Sequence, residues 1–200
     1  MKLIFASNNA HKLEEARAIM PQLEVLSLND LGMHEDIPET QPTLEGNSLQ
    51  KAEYVQRWCE AHSDRIPADV IGCFADDTGL EIEALNGAPG VYTARWAGEA
   101  CNPADNRKKA LQLLAGVQDR RAQFRTVVTL ILFNTGARHT FEGIVRGSIS
   151  TEERGNGGFG YDPVFIPEGY ENTFAELPIS LKNTISHRAK AMKKLANFKF

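Results

Sequence analysis

Cysteine is scarce in this chain, and what there is excludes two classes at once. Cys59, Cys73 and Cys101 are odd in number and widely spaced, so they build neither a disulfide framework nor a thiolate metal cluster, which suits a reducing, cytoplasmic setting. Long apolar runs are missing too. Met1-Lys2-Leu3-Ile4-Phe5-Ala6 meets polar Ser7-Asn8-Asn9 too soon for a signal peptide, and no stretch approaches the length that crosses a bilayer. A soluble protein without a membrane partner is expected. Excess positive charge is also lacking: the net charge of −4 argues against a nucleic-acid partner, because neutralising a phosphate backbone needs a basic surface. Neither G-x-x-x-x-G-K-[ST] nor H-E-x-x-H occurs, which removes P-loop and zincin chemistry. No internal repeat or low-complexity segment is present.

Two hundred residues with 42% apolar and 24% charged side chains suffice for a single domain with a real core, spanning 1–200. Leu3 to Ala6 reads as a buried strand, followed by a helix from Ala10 to Met20 that Pro21 stops, and Leu23 to Leu28 as a second strand. Residues Asn29 to Asn47, rich in Pro, Glu, Asp and Thr, read as an exposed connection, after which Asn47 or Ser48 caps a helix to His62. A buried strand from Val70 to Ala75 is expected to break at Asp76-Asp77-Thr78-Gly79, and Leu85 to Gly98 to be an irregular loop. Asn102-Pro103 opens a helix to Leu114. Thr126 to Phe133 and His139 to Ile149 form a hairpin about Asn134-Thr135-Gly136, and Ser186 caps a last helix to Phe198. Early alternation of strands and helices with a later hairpin predicts an α/β fold with a mixed sheet flanked by helices.

Four polar clusters carry the chemistry. Ser7-Asn8-Asn9-Ala10-His11-Lys12 lies between a strand and a helix start, where free N–H groups and the dipole favour an anion; simple capping is the plainer alternative. Asp76 and Asp77 at a strand end suit a hard cation such as Mg²⁺, or else an Asp turn. The run Gly155-Asn156-Gly157-Gly158-Phe159-Gly160-Tyr161-Asp162-Pro163 contains G-x-G-x-x-G, but prolines and Val164-Phe165-Ile166 follow instead of a helix, so no Rossmann site forms. What remains is a loop whose glycines permit close approach to a ligand, with two rings and a carboxylate suited to a flat base. Lys182 with Ser186-His187-Arg188 places cations at a helix start, where an anion would relieve them or where they are plain surface charge. Together the clusters describe a site for a nucleoside triphosphate with Mg²⁺.

With these motifs in this order, joined by Gly87-Ala88-Pro89-Gly90-Val91-Tyr92-Thr93-Ala94-Arg95, the chain resembles the inosine/xanthosine triphosphate pyrophosphatase family over nearly its whole length. The resemblance implies hydrolysis of deaminated purine nucleoside triphosphates to monophosphate and pyrophosphate. It implies an elongated fold of two lobes with a cleft between them, and a homodimer. It implies that Ser7, Asn8, Asn9, Ala10, His11 and Lys12 hold the triphosphate, that Asp77 is proton acceptor and Mg²⁺ ligand with Asp76 beside it, and that Thr78 touches substrate. Phe159 would stack on the base with Gly160, Tyr161 and Asp162 completing that wall, and Lys182, His187 and Arg188 would contact the base edge or phosphates. Many members carry Glu where this chain has Gly46, which leaves Glu45 as the further metal ligand. Alternatives are a non-catalytic nucleotide sensor, a pyrophosphatase for modified pyrimidine nucleotides, and a nucleic-acid module using Arg107, Lys108, Lys109, Arg120 and Arg121.

Overall fold

The computed structural model describes residues 1–200. The elements are β1 (Lys2–Phe5), α1 (Ala10–Ile19), β2 (Glu24–Leu26), α2 (Leu44–Ala61), β3 (Val70–Ile82), β4 (Pro89–Gly90), α3 (Pro103–Leu113), β5 (Arg121–Leu132), β6 (Arg138–Ile149), β7 (Phe165–Pro167), α4 (Ile179–Ile185) and α5 (His187–Ala196). Strands hydrogen-bond in the order β2-β1-β3-β5-β6-β7, with β4 on β3. β1 runs parallel to β2 and β3, while β4 on β3 and β7 on β6 are antiparallel, so the sheet is mixed as expected. No helix is long and apolar enough to cross a membrane.

The chain forms two compact units. The first comprises Met1–Asp77, Thr126–Gly143 and Ala189–Phe200; the second comprises Thr78–Arg125 and Ile144–Arg188. In the first, period-two alternation along β3 sorts side chains into two cores. Cys73 and Ala75 pack with Ala52, Val55 and Trp58 of α2, whereas Phe74 packs with Ala16 of α1 and with Met192 and Leu195 of α5. Phe5 stacks on Phe74 with ring centroids 4.6 Å apart. In the second, Leu80, Ala110, Phe124, Val145, Tyr161, Phe165 and Phe174 form one core.

Several boundaries differ from the sequence expectation. Helix α2 starts at Leu44, with Thr43 as its cap, because the Thr43 hydroxyl accepts the Gly46 N–H at 3.0 Å. Asn47 and Ser48 therefore lie inside the helix and are fully buried. The preceding connection is not wholly exposed, since Leu31 and Met33 enter the core. β3 does not break at Asp76-Asp77-Thr78-Gly79 but runs through to Ile82. β2 is shorter than Leu23 to Leu28, Pro89–Gly90 adds a short strand inside the irregular loop, and α4 was not foreseen.

Cys59 and Cys73 are buried and Cys101 is exposed. Burial pushes the Cys59 thiol up to about 12 and raises the Cys73 thiol as well. A pKa near 12 leaves on the order of one molecule in ten thousand as thiolate at pH 8. Iodoacetamide at that pH is expected to alkylate Cys101 alone in the native protein and all three cysteines after denaturation, read by mass spectrometry of digests.

Candidate active site

In the first unit the chemistry gathers where β3 meets α1 and α2. Asp76 and Asp77 are 1% and 7% exposed. Because the strand is unbroken, their side chains alternate, and each finds a lysine on a different helix. Asp76 Oδ1 accepts from Lys12 Nζ of α1 at 2.9 Å, and Asp77 Oδ1 from Lys51 Nζ of α2 at 3.1 Å. The expected chain break at Asp76-Asp77-Thr78-Gly79 is thus corrected. Asp77 Oδ2 also accepts from Asn47 Nδ2 at 3.3 Å, while Ser48 Oγ ties the same helix turn to the Ala75 carbonyl at 3.0 Å.

Lys51 was not singled out from sequence, and neither was its second partner, Glu39, whose carboxylate shares the Lys51 ammonium with Asp77. Burial alone would lower the Lys51 pKa, but the charges of Asp77, Glu39 and Asp76 outweigh it and hold Lys51 above its ordinary value. Burial raises the Asp77 pKa, opposed by the positive charges of Lys51 and Lys12. Glu45 lies exposed in the first turn of α2. Gly46 has a local reason: a Cβ there would meet Gln41 Cβ at 2.7 Å. No group of three or more His, Cys, Asp or Glu forms a ready-made metal cage.

At the start of α1 the capping residue is Asn9, whose Oδ1 accepts the Lys12 N–H at 3.1 Å; Ser7 Oγ accepts the Asn9 N–H at 3.2 Å. Asn8, Asn9, Ala10 and His11 are exposed, and the first turn holds no acidic side chain. This helix start is open to an anion, with Lys12 already bound to Asp76.

The second unit carries the aromatic loop. Asp162 Oδ2 accepts the Phe159 N–H at 2.7 Å and Lys182 Nζ at 2.6 Å. Lys182 and Asp162 side chains are 3% and 5% exposed. Lys182 Nζ also lies 4.5 Å from the centroid of the Phe159 ring, and the Arg188 guanidinium 5.6 Å from it. His187 is buried and stacks on Phe124 at 4.6 Å. Tyr161 is buried as well, its hydroxyl donating to the Thr93 carbonyl at 3.0 Å. Thr78 is half-buried on β3.

As expected, no α-helix follows the glycines; a short 3-10 turn at Asp162–Val164 stands there instead. Close approach at several glycines serves the protein itself, however. A Cβ on Gly157 would meet the Ala175 carbonyl oxygen at 2.8 Å, and on Gly158 (φ +70) the Asp162 carboxylate at 2.0 Å. Gly160 (φ +62) has nothing within 4 Å. Of the basic residues considered as a nucleic-acid footprint, Arg107, Lys109, Arg120 and Arg121 are engaged locally. Lys109 donates to the Trp96 carbonyl, Arg120 to three carbonyls, and Arg121 pairs with Asp119 and Glu83.

Solved structures share this fold. The Ham1 protein of Staphylococcus aureus superposes with a TM-score of 0.81 at 36% identity, covering 98% of this chain and 96% of that one. A Coxiella burnetii HAM1 protein gives 0.82 at 33% identity with the same coverage. The chain belongs to the Ham1 family, whose model matches residues 3–198. It is 50% identical over 196 residues to the dITP/XTP pyrophosphatase of Flavobacterium johnsoniae, covering 98% of this chain and 96% of the relative. It is 51% identical over 199 residues to the Porphyromonas gingivalis protein of that name, with the same coverage.

The Gly158 geometry sets a testable difference within one loop. Gly158→Ala combines left-handed strain of about 1–2 kcal/mol with displacement of Asp162, whereas Gly160→Ala carries the strain alone. Urea unfolding is expected to show the larger loss of stability for Gly158→Ala, and equal losses would contradict this account.

Proposed function

We propose that this chain hydrolyses deaminated purine nucleoside triphosphates, dITP, XTP and ITP, to the monophosphate and pyrophosphate, removing them from the nucleotide pool. The carrying observation is a buried Asp77, held by Lys51 and Asn47, in a chain half identical over nearly its whole length to two relatives named dITP/XTP pyrophosphatase. Both polar groups serve one substrate in this reading, as a cleft between two lobes of a single domain would require. Ser7 to Lys12 take the triphosphate, Thr78 touches it, and Phe159 with Gly160, Tyr161 and Asp162 walls the base. Lys182, His187 and Arg188 direct donors to its 6-oxo group or to phosphate. The protein works as a cytoplasmic homodimer.

The donor set fits Mg²⁺, which takes one or two carboxylates and substrate phosphate oxygens. Two carboxylates, Asp77 and Glu39, already converge on a single ammonium. Asp77 and Glu39 would hold the ion, with Asp76 kept by Lys12 and the exposed Glu45 set aside. When bound, Mg²⁺ would neutralise phosphate charge and make water more acidic.

Asp77 accepts the proton of a water whose oxygen bonds to the α-phosphorus. The bond from that phosphorus to the α–β bridging oxygen breaks, and pyrophosphate leaves with the electron pair. Burial suits Asp77 to this role, since a carboxylate above its ordinary pKa is a better base near neutral pH. Lys51, held above its ordinary pKa, and Lys12 stabilise the charge that develops on phosphate oxygens. Donors aimed at a 6-oxo group leave the adenine amino group mispaired, a discrimination that can reach roughly 10⁴-fold.

With Mg²⁺ and each of dITP, ITP, XTP, ATP and GTP, pyrophosphate is expected from the first three. Asp77→Asn should lower that rate by roughly 10²–10⁴-fold, the usual worth of a general base. Release of orthophosphate instead would place cleavage at the terminal bond and overturn the reading.

Glu39 and Glu45 separate cleanly. Glu39→Gln is expected to raise the Mg²⁺ concentration needed for half-maximal rate by about 10-fold or more, while Glu45→Gln leaves it unchanged. The reverse order would restore Glu45 as the ligand.

A further inference from the structure

We propose that Arg107 is a positioning residue for the base-binding loop, fixing the Gly160–Tyr161 peptide; this rests on the reading that Phe159 to Asp162 wall the base. Arg107 sits on α3, more than fifty residues from the loop in sequence, and its side chain is only 16% exposed. Its Nη1 donates to the Gly160 carbonyl at 2.8 Å. Nε lies 3.0 Å from Glu153 Oε2 without its N–H aimed along that contact, so the Gly160 bond is the directional one.

The ends of the loop are tied to each other. Asp162 takes the Phe159 N–H on its carboxylate, and its own N–H donates to the Phe159 carbonyl at 3.2 Å. The middle is different. Gly160 has a positive φ and open space on its Cβ side, so no packing there restrains its peptide. The Gly160 carbonyl and Tyr161 N–H belong to one planar unit, so a guanidinium on the oxygen sets where the N–H points. A charged, forked donor holds such an orientation better than a neutral one.

Asn106, the neighbour on α3, acts on the adjoining segment. Its Oδ1 accepts the Ala97 N–H and its Nδ2 donates to the Ala94 carbonyl, each at 2.7 Å. Tyr161 reaches that segment through the Thr93 carbonyl. Two successive helix residues thus hold the loop, one directly and one through residues 93–97.

The test compares wild type, Arg107→Met and Arg107→Lys. Arg107→Met is expected to raise the KM for dITP and the Kd for IMP roughly tenfold, the worth of a hydrogen bond to a charged group. The kcat should stay within about twofold and inhibition by inorganic pyrophosphate, which has no base, should not change. Arg107→Lys should recover part of the IMP affinity. Amide hydrogen exchange over 159–162 should quicken in Arg107→Met while the core strands exchange as in wild type, a readout independent of turnover. Equal weakening of IMP and pyrophosphate would mean a general structural role and overturn the proposal, as would unchanged IMP affinity and exchange. A wild type that releases no pyrophosphate from dITP would instead bring down the functional reading, leaving the exchange result to decide the role of Arg107.

Discussion

Burial of two adjacent carboxylates in the middle of β3 is the constraint from which the first unit follows. Asp76 and Asp77 are almost wholly out of water, and an uncompensated buried charge costs about 3–5 kcal/mol. A strand sends neighbours to opposite faces, so one helix cannot serve both. α1 must present Lys12 to one face and α2 must present Lys51 to the other. Once Lys51 is fixed, the rotation of α2 is fixed, which buries Asn47 on Asp77 and Ser48 on the Ala75 carbonyl. The early start of α2 at Leu44 belongs to the same arrangement, because a helix capped by Asn47 would leave that side chain bound to its own first turn. The second unit repeats the device, with the Asp162 carboxylate neutralised by Lys182 from α4.

Most of the fold was legible because its signals are local. The buried run Leu3–Phe5, Pro103 at a helix start and the hairpin about Asn134-Thr135-Gly136 are written in a few consecutive residues. The four clusters were legible as well, and the structure gathers their members by unit: Lys12 with Asp76, and Phe159, Asp162, Lys182 and Arg188 with one another. What escaped was long-range. Glu39 sits in an acidic, proline-containing stretch indistinguishable from a solvated connection, and only folding brings it to Lys51 twelve residues on. The glycine run misled for a related reason: tight spacing at Gly157 and Gly158 answers to Ala175 and Asp162, which sequence does not place beside them. Asp76-Asp77-Thr78-Gly79 looked like a strand end since Gly and Asp are poor strand formers, yet tertiary pairing carried the strand through.

The division of labour between cations carries the argument further. Lys12, Lys51 and Lys182 each hold a carboxylate, whereas Arg107 and Arg120 hold backbone carbonyls. An ammonium is a compact charge on a flexible stem and can move to a new anion while leaving its old partner near. A guanidinium is a planar fork that defines direction. At these particular positions a lysine could exchange one anionic partner for another, whereas an arginine keeps a backbone shape fixed. Lys51 illustrates the first case. It pairs with both the buried Asp77 and the partly exposed Glu39, so Asp77 keeps a cationic partner in its buried position. Displacement of the ammonium toward phosphate would leave the same two carboxylates facing an incoming cation. A hydrophobic residue at position 51 could fill the space but could not make that exchange.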